Sequence, residues 1–253
     1  EDITAAAPEA PRLNFSQDPI MAGYAWETPD SSMRSTKPSA KIFGIGLPRT
    51  GTTSLIEAFK QHGITARHCP IELWADSAHP MLSEARAFAD TPIPALYPKL
   101  DAQFPGSRFI LTTRDRESWL ESIQWLCRYR KRLWMRNQLL DDYDLAFFGA
   151  KSFDKDRYIM VWERFHSEVQ RYFEDRPESL LTLNLAEELD TSRLLQFIGS
   201  SSLAAPWPRS NRTRTPSWLQ ELAFYAESCR LTPLGHAFRR IDAKIRKERS
   251  AAH

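Results

Sequence analysis

IFGIGLPRTGTTSL, residues 42–55, sets a short apolar run against a turn of glycines and a proline, then opens a helical pattern on threonines. The phosphate-loop pattern G-x-x-x-x-G-K-S/T wraps backbone N–H groups and a helix N-terminus around an anion and adds a lysine for the outer phosphates. Gly46 and Gly51 keep that spacing and Thr53 stands at the Ser/Thr position, but Thr52 replaces the lysine and Arg49 lies inside the loop. The stretch reads as strand, anion loop and helix, with the cation moved.

Outward from the loop, Leu55, Ile56 and Phe59 give TTSLIEAFKQHG the spacing of a helix ending at Gly63. A short strand is expected at ITARH (64–68), while MLSEARAFAD (81–90) reads as helical. Tyr97 to Phe104 reads as a short helix closed by Pro105-Gly106. SRFILTTRD (107–115) is a core strand, followed by one long helix over 116–140. Trp119, Ile123, Leu126 and Leu133 form its apolar side, and Arg128, Arg130, Lys131, Arg132 and Arg136 a basic one. Residues 154–174 space Tyr158, Val161, Trp162, Phe165 and Val169 as a buried helical stripe. SLLTLNL (179–185) is a further strand, and TSRLLQFIG (191–199) a helix that Thr191 or Ser192 would cap. Strands alternating with helices predict an α/β fold, a three-layer α/β/α arrangement on a mainly parallel sheet. Residues 1–40, rich in Ala, Pro, Ser and Asp without periodicity, read as an extended or mobile arm, and 41–253 as a single domain.

Apolar residues make up 42% of the 253 and charged residues 26%, as in ordinary globular proteins, and the net charge is only +2. Nothing global calls for nucleic acid, so an anion site must come from local placement of charge. No apolar run reaches the ~18 residues of a membrane span. Cys69, Cys127 and Cys229 are odd in number and lack C-x-x-C spacing, which argues against a disulfide framework or a zinc site and favours a reducing, cytoplasmic compartment. A secretory lumen is the alternative if an N-terminal anchor has been removed; Asn14-Phe15-Ser16 and Asn211-Arg212-Thr213 have the form of glycosylation triplets.

The second chemical signal is at 112–122. A nucleotide hydrolase needs the loop lysine and a strand-end Asp to help hold magnesium. Here the strand ends Thr112-Thr113-Arg114-Asp115, with a cation in place of that acid, so a metal-free anion site is the better physical reading. An Arg at a strand's C-terminal end points into the crevice where open α/β sheets bind ligands. Ser122 follows eight residues later, just over two helical turns, and with Arg114 would grip a second phosphate.

GLPRTGTTSL followed by FILTTRDRESWLES resembles the sulfotransferase family, built on a P-loop NTPase-like fold. The resemblance implies 3'-phosphoadenosine 5'-phosphosulfate as donor and adenosine 3',5'-bisphosphate as product, with no metal. By position, Arg49, Thr50, Gly51, Thr52, Thr53 and Ser54 are implied in the 5' site, and Arg114 and Ser122 in the 3'-phosphate site. A late basic loop, PWPRSNRTRTP, offers Arg209, Arg212 and Arg214 to the same phosphate. Arg49 would stabilise the charge that develops on the bridging oxygen. An alcohol acceptor needs a general base, and the candidates are His68 and Asp90, with Glu72 and His62 behind them. Trp74, Trp125, Trp134, Phe147 and Phe148 are candidates for an apolar acceptor pocket. The acceptor would be a hydroxyl or amine compound, most simply a small molecule. Two other classes compete: a kinase or hydrolase using ATP and magnesium, and a catalytically silent scaffold binding a partner through its basic helix.

Overall fold

The computed structural model describes residues 39–132 and 138–208. The N-terminal arm and the late basic loop with Arg209, Arg212 and Arg214 lie outside them, as do Leu133, Trp134 and Arg136. In chain order the elements are β1 (Ile42–Gly44), α1 (Thr52–Gln61), β2 (Ala66–His68), α2 (Glu72–Ala75), α3 (Met81–Glu84), β3 (Ala87–Ala89) and α4 (Ile93–Gln103). After these come β4 (Arg108–Thr113), α5 (Arg116–Arg132), α6 (Gln138–Phe148), α7 (Lys155–Tyr172), β5 (Leu180–Asn184) and α8 (Ser192–Phe197).

All five strands are parallel, in the order β2-β3-β1-β4-β5. The chain leaves β1 for one edge, returns through β3, then crosses β1 to β4. The order therefore switches at β1, and ligands in open parallel sheets bind beyond the strand C-termini at such a switch. In register, Gly44 stands beside Ala89 and Ile110, and His68 beside Ala89. The segments that follow these residues must emerge on one rim.

The two faces follow from strand alternation. Ile42, Ala87, Ala89 and Ile110 pack with Leu55, Ile56 and Phe59 of α1 and with Leu194 and Leu195 of α8. Phe43, one residue on, faces the other layer, its ring 6.1 Å from Phe88, 5.6 Å from Phe109 and 6.1 Å from Phe104. Phe109 continues to Phe173 of the α7 end, and Tyr97 of α4 packs on Phe165, Tyr172 and Phe173. Helices thus cover both faces of the sheet, the α/β/α architecture expected from sequence.

Three local expectations change. MLSEARAFAD is not one helix: Met81–Glu84 makes a single turn, and Ala87–Ala89 is a wholly buried inner strand. Alanines favour helices locally, but here their small side chains let α1 lie close to the sheet. The helix expected from Tyr97 begins at Ile93, with Pro94 in its first turn, where a missing N–H leaves no intrahelical bond unmade, and Pro98 inside it. Of the helix expected over 116–140, the described residues are helical on both sides, α5 to Arg132 and α6 from Gln138 to Phe148, and 133–137 lie outside them. Thr191 holds the N-cap position of α8 without capping it: its Oγ1 meets His62 Nε2 at 2.9 Å and accepts from Ala205 N at 3.0 Å. Asp190 Oδ1 accepts from Ser192 N instead, at 2.8 Å.

Candidate functional site

The loop between β1 and α1 is shaped by close approach. A Cβ on Gly46 would lie 1.9 Å from Thr112 Oγ1 and 2.7 Å from the Thr112 carbonyl, so only glycine lets the loop lean on β4. Thr50 Oγ1 locks the turn from inside, donating to Leu47 O at 2.7 Å and meeting Thr112 Oγ1 at 2.7 Å. Gly51 then takes a φ of 108° and starts α1 with no capping side chain, and no acidic residue stands in the first turn. The first turn of the helix therefore brings no acidic side chain of its own to its positive end.

Arg49 adopts the left-handed region, φ 73°, which costs a non-glycine residue on the order of 1–3 kcal/mol. Neighbours hold it there. Trp119 Nε1 donates to Pro48 O at 2.9 Å, and Arg114 Nη1 reaches Arg49 O at 3.4 Å. The Arg49 side chain donates from Nε to Ser122 Oγ at 2.9 Å, with its guanidinium carbon 5.4 Å from the Trp125 ring. Burial pushes the Arg49 pKa down, the Arg114 charge pushes it further, and Asp90 offsets part of this. Two guanidiniums thus crowd one another, and an anion between them would relieve both.

Arg114 leaves the end of β4 and donates from Nε to Ser118 Oγ at 2.8 Å. Asp115 Oδ2 accepts from Ser118 N at 2.9 Å, so the carboxylate caps α5 at the cavity wall. Of the two residues expected to share a phosphate, Arg114 is hydrogen-bonded to Ser118 and Ser122 to Arg49. Ser118 and Ser122 are four residues apart on one helical face, so both lie along the loop. Sequence spacing singled out Ser122 and passed over Ser118, although the i, i+4 relation to Arg114 was readable.

The third group comes from β2 and β3. Asp90 follows β3 at φ 76° and is nearly buried. Its Oδ2 accepts a hydrogen bond from Thr52 Oγ1 and lies 3.1 Å from His68 Nε2, while Oδ1 accepts from Thr91 N at 2.6 Å. His68 Nε2 is also 3.2 Å from Thr53 Oγ1. Burial would raise the Asp90 pKa, but the hydrogen bond and charge of His68, the Thr52 hydroxyl and the Thr91 N–H outweigh it. The carboxyl is held well below the usual carboxylate range. The two candidate bases, 22 positions apart in sequence, are therefore one pair. A hydrogen bond from His68 Nε2–H to Asp90 leaves the lone pair of the neutral ring on Nδ1.

These groups line one cavity of about 940 Å³. Arg49 through Ser54, His68, Asp90, Arg114 and Ser118 form its polar wall, and Leu126, Leu185, Leu189, Pro206 and Trp207 an apolar one. Leu126 of that wall comes from α5, and the other four from the segments that follow β5 and α8. Glu72 is exposed and not on the cavity wall, and His62 stands at the far end of α1, about 15 Å of helix from Thr52. Trp74, Phe147 and Phe148 pack in an aromatic cluster around Tyr143.

Comparison with known proteins places a family model described as "Sulfotransferase domain" on residues 71–215. A curated relative, "Ava biosynthesis cluster protein M" of Aspergillus versicolor, is 32% identical over 108 residues, spanning 33% of this chain and 42% of the relative. The chain thus matches less than half the length of that relative. A solved structure titled "Crystal Structure of Sulfotransferase from Alicyclobacillus acidocaldarius" aligns over 80% of this chain and 99% of its own, with 18% identity and a TM-score of 0.46.

Proposed function

The chain belongs to the sulfotransferase family, and from that premise we propose that it moves a sulfuryl group from 3'-phosphoadenosine 5'-phosphosulfate to a hydroxyl or amine of a small acceptor. On this reading residues 41–253 form one catalytic domain. The observation that carries it is the sharing of one cavity by two arginines and a His-Asp pair. The donor set suits a nucleotide with two anionic ends: the glycine turn, the α1 N-terminus and Arg49 for the 5' end, Arg114 and Ser118 for the 3'-phosphate. A cavity of about 940 Å³ accommodates a ligand of that size. When bound, the phosphosulfate supplies the electrophilic sulfur and a phosphate leaving group.

The chain's own residues account for the rest. Arg49, permanently charged, faces the phosphate oxygen where negative charge develops and lowers the barrier electrostatically. Thr52 and Thr53 offer hydroxyls at the helix start. His68 takes the acceptor proton, and Asp90 orients the ring and balances the imidazolium. Asp90 itself is a poor base, because its strongly held carboxylate has too little proton affinity near neutral pH. Arg114 directly after β4 puts a cation where an ATP-magnesium enzyme needs a strand-end acid, which favours this reading.

Among the described residues no helix is long and apolar enough to cross a membrane. The cysteine usage, without C-x-x-C spacing, supports a cytoplasmic placement. Thermal-shift titration of adenosine 3',5'-bisphosphate against ATP-magnesium, followed by transfer of labelled sulfate to an acceptor panel, tests the proposal. Stabilisation by the bisphosphate and a labelled product are expected. Stabilisation by ATP-magnesium alone would return the kinase reading.

A further inference from the structure

Trp119 is completely buried on α5, and the mechanism above does not use it. Its indole Nε1 donates to the carbonyl of Pro48 at 2.9 Å, across 71 positions of sequence. That carbonyl belongs to the peptide plane directly before Arg49, whose backbone is left-handed. We propose that Trp119 is a positioning residue for the Arg49 guanidinium, acting by fixing that peptide plane. The proposal rests on the reading of Arg49 given above.

A proline ring fixes φ at residue 48, and a bonded carbonyl fixes the plane that follows. Arg114 Nη1 reaches the next carbonyl, that of Arg49, at 3.4 Å. Two successive carbonyls are thereby held by donors of the β4–α5 unit. Without the indole donor the plane before Arg49 is free to rotate, and the residue can relax toward ordinary φ values. Such a change swings its Cα–Cβ direction away from Ser122 and Trp125, the partners that hold the guanidinium. The indole has little play of its own: Trp162 lies 4.7 Å and Tyr158 6.1 Å away, ring centre to ring centre. Phenylalanine would fill most of this space. Only tryptophan also supplies an N–H.

The test compares wild type with Trp119→Phe by hydrogen exchange across residues 47–55, steady-state kinetics and melting temperature. The expected result is faster exchange of the loop amides, with kcat lower by roughly 10- to 100-fold, as a small misplacement of a catalytic group produces. The KM for the phosphosulfate donor should change by less than about threefold, the split that separates positioning from lost binding. Trp119→His, which returns a ring N–H, should recover loop protection relative to Trp119→Phe. Unchanged exchange, or a kcat loss with loop protection intact, overturns the proposal. If Trp119→Phe does not fold, Trp119→His is compared with wild type, and loss of loop protection in that variant overturns it. A wild-type protein that sulfates no acceptor removes the functional reading, while the exchange comparison still decides whether Trp119 holds the loop.

Discussion

Arg49 donates from Nε to Ser122 Oγ at 2.9 Å, so the loop cation rests on the serine that sequence spacing assigned to a different phosphate. If Ser122 acts through Arg49, their losses will not add. Arg49→Ala is expected to lower kcat by about 10²- to 10³-fold, the usual effect of removing one charge-stabilising group. Ser122→Ala should lower kcat by roughly three- to tenfold, and the double variant should match Arg49→Ala. Losses that multiply would give Ser122 a contact of its own, with the 3'-phosphate as the obvious partner.

On the proposed reading, Arg114 and Ser118, hydrogen-bonded at 2.8 Å, form the other anion grip. Calorimetry should show Arg114→Ala weakening adenosine 3',5'-bisphosphate by about 10- to 100-fold, the range of a charge-assisted contact. Binding of adenosine 5'-monophosphate should change little. Equal loss of both ligands would mean that Arg114 supports the loop through the Arg49 carbonyl and does not read a phosphate.

Asp90 links the site to acid stability. Its folded pKa lies below the unfolded value of 3.8, so its contribution is fully present above that value and is lost as pH falls toward the folded one. Asp90→Asn leaves Thr52 and Thr91 with a weaker partner and should cost about 1–3 kcal/mol near pH 6. Urea melts from pH 6 down to pH 3 should show the gap between wild type and variant closing below 3.8. A gap independent of pH would mean that the carboxylate charge contributes nothing.

The two loop glycines should differ in tolerance. Gly51→Ala meets the tip of Leu185, a flexible side chain, and retains a φ penalty of about 1–2 kcal/mol. Gly46→Ala drives a methyl group into both the side chain and the backbone of Thr112, which cannot both move. Denaturant melts should rank Gly46→Ala as the more destabilising. The reverse order would mean that the loop stands off β4 in solution.

The loop was legible because its chemistry is local: Gly46, Arg49 and Gly51 lie within six positions, and each residue type has one physical use there. Arg114 was legible as the end of an obvious strand. The His68–Asp90 pair was not, since it depends on β2 lying beside β3, and β3 is an alanine-rich segment whose local preference is helical. The register of His68 against Ala89 is a tertiary fact. Ser118 was missed because an eight-residue interval was matched where a four-residue one also fits a helix. Arg212, like the first 38 residues, lies outside the described residues. The apolar wall of Leu185, Leu189 and Trp207 carries no pattern, because turn residues that meet only in space leave no periodicity.

The parallel sheet has a practical consequence for handling the protein. Strands β1 to β4 deliver their candidate residues to the same rim, and among the described residues the opposite rim, where chain returns from helix to strand, carries none of them. The turns at Gly63 and Gly106 lie there, and no heavy atom crowds either closer than 4.0 Å. A fluorophore, an affinity peptide or a surface linker attached at those turns would orient the molecule with its cavity outward. Immobilised in that way, the enzyme would present its mouth to a flowing library of acceptors.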